Sequence, residues 1–268
     1  IAAFLEALAA DGHGVSEAKV AVLDTPDHVM RIHEDGAVVA EGAHAHPRHG
    51  DGERHTAIET LVLPSMQFPA FERAVLDATI AATPTAYPIS VWSKRVSLDR
   101  ALEDAGFAAT RSLAFMAVDL PLPNPGVEHR SLIDGEWPAI VRINNDAFAA
   151  HREAASLTVD DARRIMGEPG FSEEGVRIVE IDEVPVAFCW TKVHPNGDGE
   201  VYRIATSPAH QGRGLGRQAV LAGFEWLSRQ PSVERGTLWV DEANDAALSL
   251  YRDLGMETLR RNREFTRS

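Results

Sequence analysis

The sequence predicts an α/β chain of the α+β kind, built as two tandem domains, each a mixed central sheet flanked by helices. Three observations carry this expectation. Stretches that alternate at strand period interchange with stretches apolar at helical spacing. The same order of elements occurs twice, with weak residue-by-residue agreement. Between the two occurrences lies "DLPLPNPGVEHR", residues 119–130, where three prolines and an Asn-Pro interrupt the pattern.

In each half helical segments come first. A hairpin follows, over 29–33 and 37–45 in the first half and over 176–181 and 184–193 in the second, where "HVMRIHEDGAVVAEGAHAHP" parallels "GVRIVEIDEVPVAFCWTKVHP". Next come a strand (57–63; 200–206), a helix (68–82; 214–229) and a second strand (88–93; 236–241). A short helix (97–105; 245–254) and closing strand material to about residue 118 or 265 complete each half. "LEDAGFAATR" then matches "YRDLGMETLR", with Gly106 and Gly255 in register, as are His46-Pro47 and His194-Pro195. The expected domains are 1–122 and 123–268. The chain opens inside the helix-like "IAAFLEALAADG", so part of the first domain, its first strand included, is expected to be missing upstream.

With 268 residues the chain can bury one large core or two ordinary ones. Its net charge of −14 argues against nucleic acid, which needs a basic gripping surface, and is compatible with a cationic small molecule. Cys189, in the apolar "VAFCW", is the only cysteine, so no intrachain disulfide can form; an inert buried thiol and a reducing cytoplasm are expected. No span is long and apolar enough for a membrane helix, and the opening stretch lacks a basic leader. A monomer is expected. In "AHAHPRHGDGERH", His44, His46, His49 and His55 invite a metal, but no compact partner set completes a site and His-Pro recurs in the other half as a structural turn. No metal is expected.

The stretch "SPAHQGRGLGRQAVLAGFEWL", residues 207–227, carries chemistry. Glycines 212, 214 and 216 sit between the alternating "EVYRIA" and a helix marked by Val220, Leu221, Phe224 and Leu227. A glycine-rich strand-to-helix turn lets backbone N–H groups approach an anion at a positive helix end. The turn is neither a dinucleotide fingerprint, for which the third glycine is misplaced, nor a phosphate-binding loop with Gly-Lys-Ser/Thr. It suits the pyrophosphate of a carrier. The first half has "LPSMQFPAFERA" at this place and lacks the turn.

"RIATSPAHQGRGLGRQAV" followed by "NDAALSLYRDLGM" resembles the acetyl-CoA-binding core of GNAT-type N-acetyltransferases. The family's Gln/Arg-x-x-Gly-x-Gly/Ala and Asn-x-x-Ala-x-x-x-Tyr-x-x-x-Gly fall on Gln211, Gly214, Gly216, Asn244, Ala247, Tyr251 and Gly255, with Met256 where an aromatic is usual. "AFAAHREAASLTVDDARRIMGEPGFSEEG", "FCWTKVHP" and "GEVYRIATSPAHQGRGLG" further resemble the second half of the mycothiol synthase branch, a tandem group with a degenerate first half. That resemblance implies acetyl transfer from acetyl-CoA to the cysteinyl amine of a cysteinyl-glucosaminyl-inositol. It implies that Glu153, Lys192, Glu200 and Trp239 face this small amine acceptor. It further implies that Ile204, Ala205, Thr206, Gln211, Gly212, Arg213, Gly214, Leu215, Gly216, Arg217, Asn244, Asp245, Ala246, Ala247, Leu248 and Ser249 hold acetyl-CoA.

The chain departs from that branch in three places. Trp239 stands where tyrosine is usual, "VYRIATSP" replaces a more apolar "VYVVGVDP", and Ala150 replaces the first histidine of "HHPE". These leave open a related acceptor, such as another small amine or a protein N-terminus, or a non-catalytic acetyl-CoA-responsive module. Acetyl transfer needs a neutral amine, oxyanion stabilisation and a proton for the leaving thiolate. Glu200 is the candidate base, through water, and Tyr251 the candidate acid; a strand amide near Ile204 would meet the oxyanion.

Overall fold

The computed structural model describes residues 28–34, 37–45, 56–62, 69–83, 88–123, 128–149 and 156–267. Its contacts divide the chain into two compact units, residues 1–112 with 262–268, and residues 113–261. The described parts of the proline-rich segment, 119–123 and 128–130, therefore fall in the second unit. Among the described residues no helix is long and apolar enough to cross a membrane.

In the first unit β1 (His28–Glu34), β2 (Ala37–Ala45) and β3 (Thr56–Val62) form an antiparallel meander, and β4 (Ile89–Ser93) pairs parallel to β3. Between β3 and β4 runs helix α1 (Pro69–Ala81), as a parallel connection requires; α2 (Val96–Asp104) follows β4. The other edge of β4 is taken by the chain's last strand, β11 (Glu257–Arg267), whose residues Arg263–Arg267 pair antiparallel with Ser93–Ile89. Phe265 thereby enters a core of Ile58, Leu76, Ile89, Val91, Leu98, Leu102 and Phe107. Two polar contacts hold the same strand: Arg263 donates to Asp99 Oδ2 at 3.0 Å, and Arg267 to the Ala105 carbonyl at 3.0 Å.

The second unit has the strand order β5-β10-β9-β8-β7-β6. These are β5 (Ala108–Asp119), β6 (Arg130–Ser131), β7 (Phe171–Ile181), β8 (Val184–Val193), β9 (Asp198–Thr206) and β10 (Arg235–Asp241). All neighbouring pairs are antiparallel except β9 and β10. Period-two alternation sorts side chains to two cores. Ala187 and Cys189 of β8 join one core, with α5 (Leu215–Ser228) and α6 (Asp245–Asp253). Phe188 and Trp190 join the other, with α3 (Trp137–Phe148) and α4 (Val159–Met166). Helix α3 buries Trp137, Ile140, Ile143 and Asn144, the spacing of one helical face. Helix α4 starts on a reciprocal cap: Asp161 N donates to Thr158 Oγ1 and Thr158 N to Asp161 Oδ2, each at 3.1 Å.

Helix α5 lies close on the sheet because the strand residues beneath it are small. A Cβ on Gly199 would come within 2.8 Å of Leu227, and one on Gly236 within 2.6 Å of Phe224. From the helix side, a Cβ on Gly223 would overlap Cys189 Sγ. Burial raises the Cys189 thiol above its ordinary pKa, so it packs as a small apolar group. The segment before β6 is tied down by a polar relay: Arg177 Nη2 meets His129 Nδ1 at 2.8 Å, and His129 Nε2 meets Glu225 Oε2 of α5 at 3.1 Å.

Two consequences can be measured. Gly223→Ala should destabilise the protein by about 1–3 kcal/mol through overpacking, and Cys189→Ala in the same chain should recover much of that loss by removing the sulfur; denaturant unfolding of both variants checks the coupling. Phe265→Ala should cost the first unit about 3–5 kcal/mol and speed hydrogen exchange of the β4 amides. Unchanged β4 protection would contradict the role given to the last strand.

Candidate active site

Strands β9 and β10 pair only from Asp198–Arg235 to Val201–Leu238. Beyond that point β9 runs on to Thr206 and β10 to Asp241 with no ladder between them, so the sheet opens. On its other edge β9 stays paired to β8 up to Thr206, with a bulge at Tyr202: Val201 opposes Thr191, yet Arg203 opposes Trp190. The extra residue shifts the strand's parity, and Val201 and Ile204 reach the same core although three residues apart. Ile204, Ala205 and Thr206 lie on the half of β9 that β10 has left. Backbone N–H and C=O groups without ladder partners need water or a ligand.

After β9, Pro208–His210 make one 3₁₀ turn, and Gln211–Gly214 lead into α5. Gln211 Nε2 donates to the Thr206 carbonyl at 3.4 Å, tying the turn to the open strand. Gly212 and Gly214 take φ of 74° and 78°, a left-handed conformation costly for other residues. Gly214 is the N-cap of α5 and supplies no side-chain cap. The first helical bond is Gln218 N to Gly214 O at 3.1 Å, so the amides of Leu215, Gly216 and Arg217 have no intrahelical acceptor. Gly216 passes the end of β9, where a Cβ would sit 3.6 Å from Thr206 Oγ1. The result is a run of N–H donors at a positive helix end, beside the opening in the sheet. Arg213 and Arg217 are exposed.

Asn244 caps α6: its side chain accepts from Ala247 N at 3.1 Å. Leu248 and Tyr251 point into the core beneath α5, whereas Asp245, Ala246 and Ser249 are exposed and Ala247 is half-buried. Leu248 thus offers a ligand only its backbone. Burial pushes the Tyr251 phenol above its ordinary pKa, and among the described residues its hydroxyl has no hydrogen-bond partner.

The opposite face of the sheet gathers the remaining candidates. Lys192 of β8 pairs across to Glu200 of β9, which pairs on to Thr237 of β10, and Trp239 follows two residues along. Lys192 Nζ lies 4.6 Å from the centre of the Phe171 ring and 5.9 Å from that of Tyr202. Trp239 packs on Phe115, with ring centres 4.9 Å apart, and the Arg260 guanidinium covers both rings at 5.3 and 4.3 Å. Glu200 and Tyr251 therefore stand on opposite faces of the sheet.

Glu153 lies outside the described residues, as do Ala150, His46, His49 and His55. Among the described residues no group of three or more His, Cys, Asp or Glu could hold a metal ion. Sequence reasoning missed three residues on this face. His194, read as part of a turn, contacts Glu200; Arg260 and Phe115 come from strands whose partners the sequence did not specify. Hairpin counting back from Glu200 would have found His194.

Residues 137–256 match the model of the acetyltransferase (GNAT) family. The chain is 37% identical over 232 residues to a mycothiol acetyltransferase of Thermomonospora curvata, covering 83% of this chain and 76% of that protein. Its identity to the mycothiol acetyltransferase of Saccharopolyspora erythraea is 34% over 234 residues, 82% of this chain and 73% of the other. Among solved structures, a GCN5-related N-acetyltransferase from Sphaerobacter thermophilus superposes with a TM-score of 0.71 at 18% identity, over 97% of this chain and 89% of that one. A tandem GNAT protein from the clavulanic acid biosynthesis pathway gives 0.64 at 15% identity, over 98% and 93%. At these identities the structural likeness speaks for the fold alone. The mixed sheet with its open parallel seam and uncapped helix start is a GNAT fold, and the chain, an N-acetyltransferase, belongs to the mycothiol acetyltransferase family.

Proposed function

We propose that the protein transfers acetyl from acetyl-CoA to the cysteinyl amine of a cysteinyl-glucosaminyl-inositol, forming mycothiol. One observation carries the reading: the seam between β9 and β10 opens beside the uncapped start of α5 on one side and beside Glu200, Lys192 and Trp239 on the other. The amides from Gly212 to Arg217 would hold the pyrophosphate of acetyl-CoA. The pantetheine amides would lie along the free half of β9, from Ile204 to Thr206, and borrow its unpaired backbone groups. The thioester then sits in the seam, with a strand amide near Ile204 facing its oxygen.

Glu200 takes the proton of the amine, directly or through water, so that nitrogen presents its electron pair to the thioester carbonyl. Tyr251, on the other side, donates its proton to the departing sulfur. Its burial suits this role: a phenol whose pKa is raised is still protonated at neutral pH and remains an acid. Lys192 and Trp239 would shape the acceptor pocket, with Glu153. The substitution of tyrosine by Trp239 favours a second reading, in which the same chemistry serves a related small amine. The first half, 1–122, we take to be a degenerate copy of the same fold that lacks the glycine turn, in a tandem, monomeric, cytoplasmic enzyme. Titration of the full chain with acetyl-CoA should accordingly give one site per chain.

Gly214→Val should weaken acetyl-CoA binding at least about tenfold, roughly 1.4 kcal/mol, because a β-branched residue resists the left-handed φ and crowds the phosphate path. Arg213→Ala should change it less than about threefold. Calorimetry on both variants decides, and equal affinities would remove the turn from the site.

Tyr251→Phe should lower kcat by about 100-fold or more with little change in acetyl-CoA affinity. Because burial disfavours the phenolate, the alkaline limb due to Tyr251 should lie above the ordinary phenol pKa of about 10. Glu200→Gln should lower kcat/KM most at low pH, where the amine arrives protonated, and less as pH rises past the amine's own pKa. Near-normal kcat with an unaltered pH profile in both variants would leave only alignment of amine and thioester. A screen of amine acceptors, reading CoA release, tests the acceptor itself.

A further inference from the structure

The Glu200 carboxylate has a partner that the acetyl-transfer scheme leaves unused. Strands β8 and β9 are joined by His194, Pro195, Asn196 and Gly197. Gly197 N donates to the His194 carbonyl at 3.0 Å, and His194 N donates to the Asp198 carbonyl at 2.8 Å. Gly197 has a φ of 86°, completing the three-residue hairpin loop in which a turn is followed by a left-handed residue. A Cβ there would also meet the Ser232 carbonyl at 2.7 Å. The hairpin thus fixes where His194 starts, and alternation sends it to the same face as Lys192, diagonally across from Glu200. His194 Nε2 lies 2.5 Å from Glu200 Oε2, with side-chain exposures of 33% and 15%.

A carboxylate only accepts, so at this separation the donor is the imidazole Nε2–H. His194 therefore occupies Oε2 and leaves Oε1 to the incoming amine. The other charged groups near this pair are Lys192 on β8, the Asp198–Arg235 ion pair at 2.8 Å, and Arg260 on β11, whose guanidinium interacts with both Asp198 and Glu200.

We propose that His194 is a positioning residue for Glu200, its Nε2–H holding Oε2 so that Oε1 faces the amine. The proposal rests on the reading of Glu200 as the base. In the step, the amine N–H bond breaks, its proton goes to Oε1, and the electron pair stays on nitrogen to form the new N–C bond; His194 keeps its own proton throughout. The hydrogen bond aims the carboxylate.

The test is steady-state kinetics on the full chain with acetyl-CoA and the cysteinyl-glucosaminyl-inositol acceptor, using wild type, His194→Ala, His194→Gln and Glu200→Gln. His194→Ala should lower kcat by about 10- to 100-fold with the KM for acetyl-CoA unchanged. His194→Gln, whose amide still donates, should recover most of that loss. If Glu200→Gln is impaired but His194→Ala is near normal, or His194→Gln is as impaired as His194→Ala, the inference about His194 is overturned. A near-normal Glu200→Gln overturns the base reading itself.

Discussion

The site depends on one constraint: two parallel strands that stop pairing halfway. Where β9 and β10 part after Val201–Leu238, the sheet exposes backbone donors and acceptors that a closed sheet would have consumed. The bulge at Tyr202 belongs to the same event, because it lets β9 stay on β8 while re-aiming its side chains. Helix α5 begins beside the end of β9, and the small residues Gly199 and Gly236 let it lie flat enough to bring its first turn there. Had the ladder continued to Thr206, the glycine turn would still present its free amides, but with no open strand beside them.

The same opening separates two chemical environments. On the side of α5 and α6, Tyr251 sits in an apolar core that suppresses its ionisation. On the other, Glu200 stands among Lys192, His194 and Arg260 at a partly exposed surface. The proposed acid and the proposed base are thus divided by the thickness of a sheet.

Much of this was legible in the sequence because it is local. Period-two runs marked β8, β9 and β10, helical spacing marked α5 and α6, and the order of glycine turn and Asn-x-x-Ala-x-x-x-Tyr pointed to acetyl-CoA chemistry. Lys192, Glu200 and Trp239 do converge on one face, as strand parity allows. Partner choice was not legible. "LAFMAVD" and "RNREFTR" read as closing strands, but nothing in their alternation says that Leu113–Asp119 pairs with β10 and Arg263–Arg267 with β4. Such pairing is settled by long-range packing, Phe265 among Ile58, Val91 and Leu102 being the instance. His194 was hidden for a different reason: His-Pro explains itself as a turn, which removes the incentive to ask where the ring points.

The last strand has a consequence for synthesis. Domains emerging from a ribosome usually fold in the order they are made. Here β4 waits for Arg263–Arg267, which are translated only after the whole of the second unit. Until then the first unit carries an open strand edge and an unfilled place for Phe265, a state in which edges recruit other chains. Of the two units the one made earlier is therefore finished later, and a chain stalled or clipped short of residue 262 would keep its glycine turn and seam while leaving the edge of β4 open to chaperones and proteases.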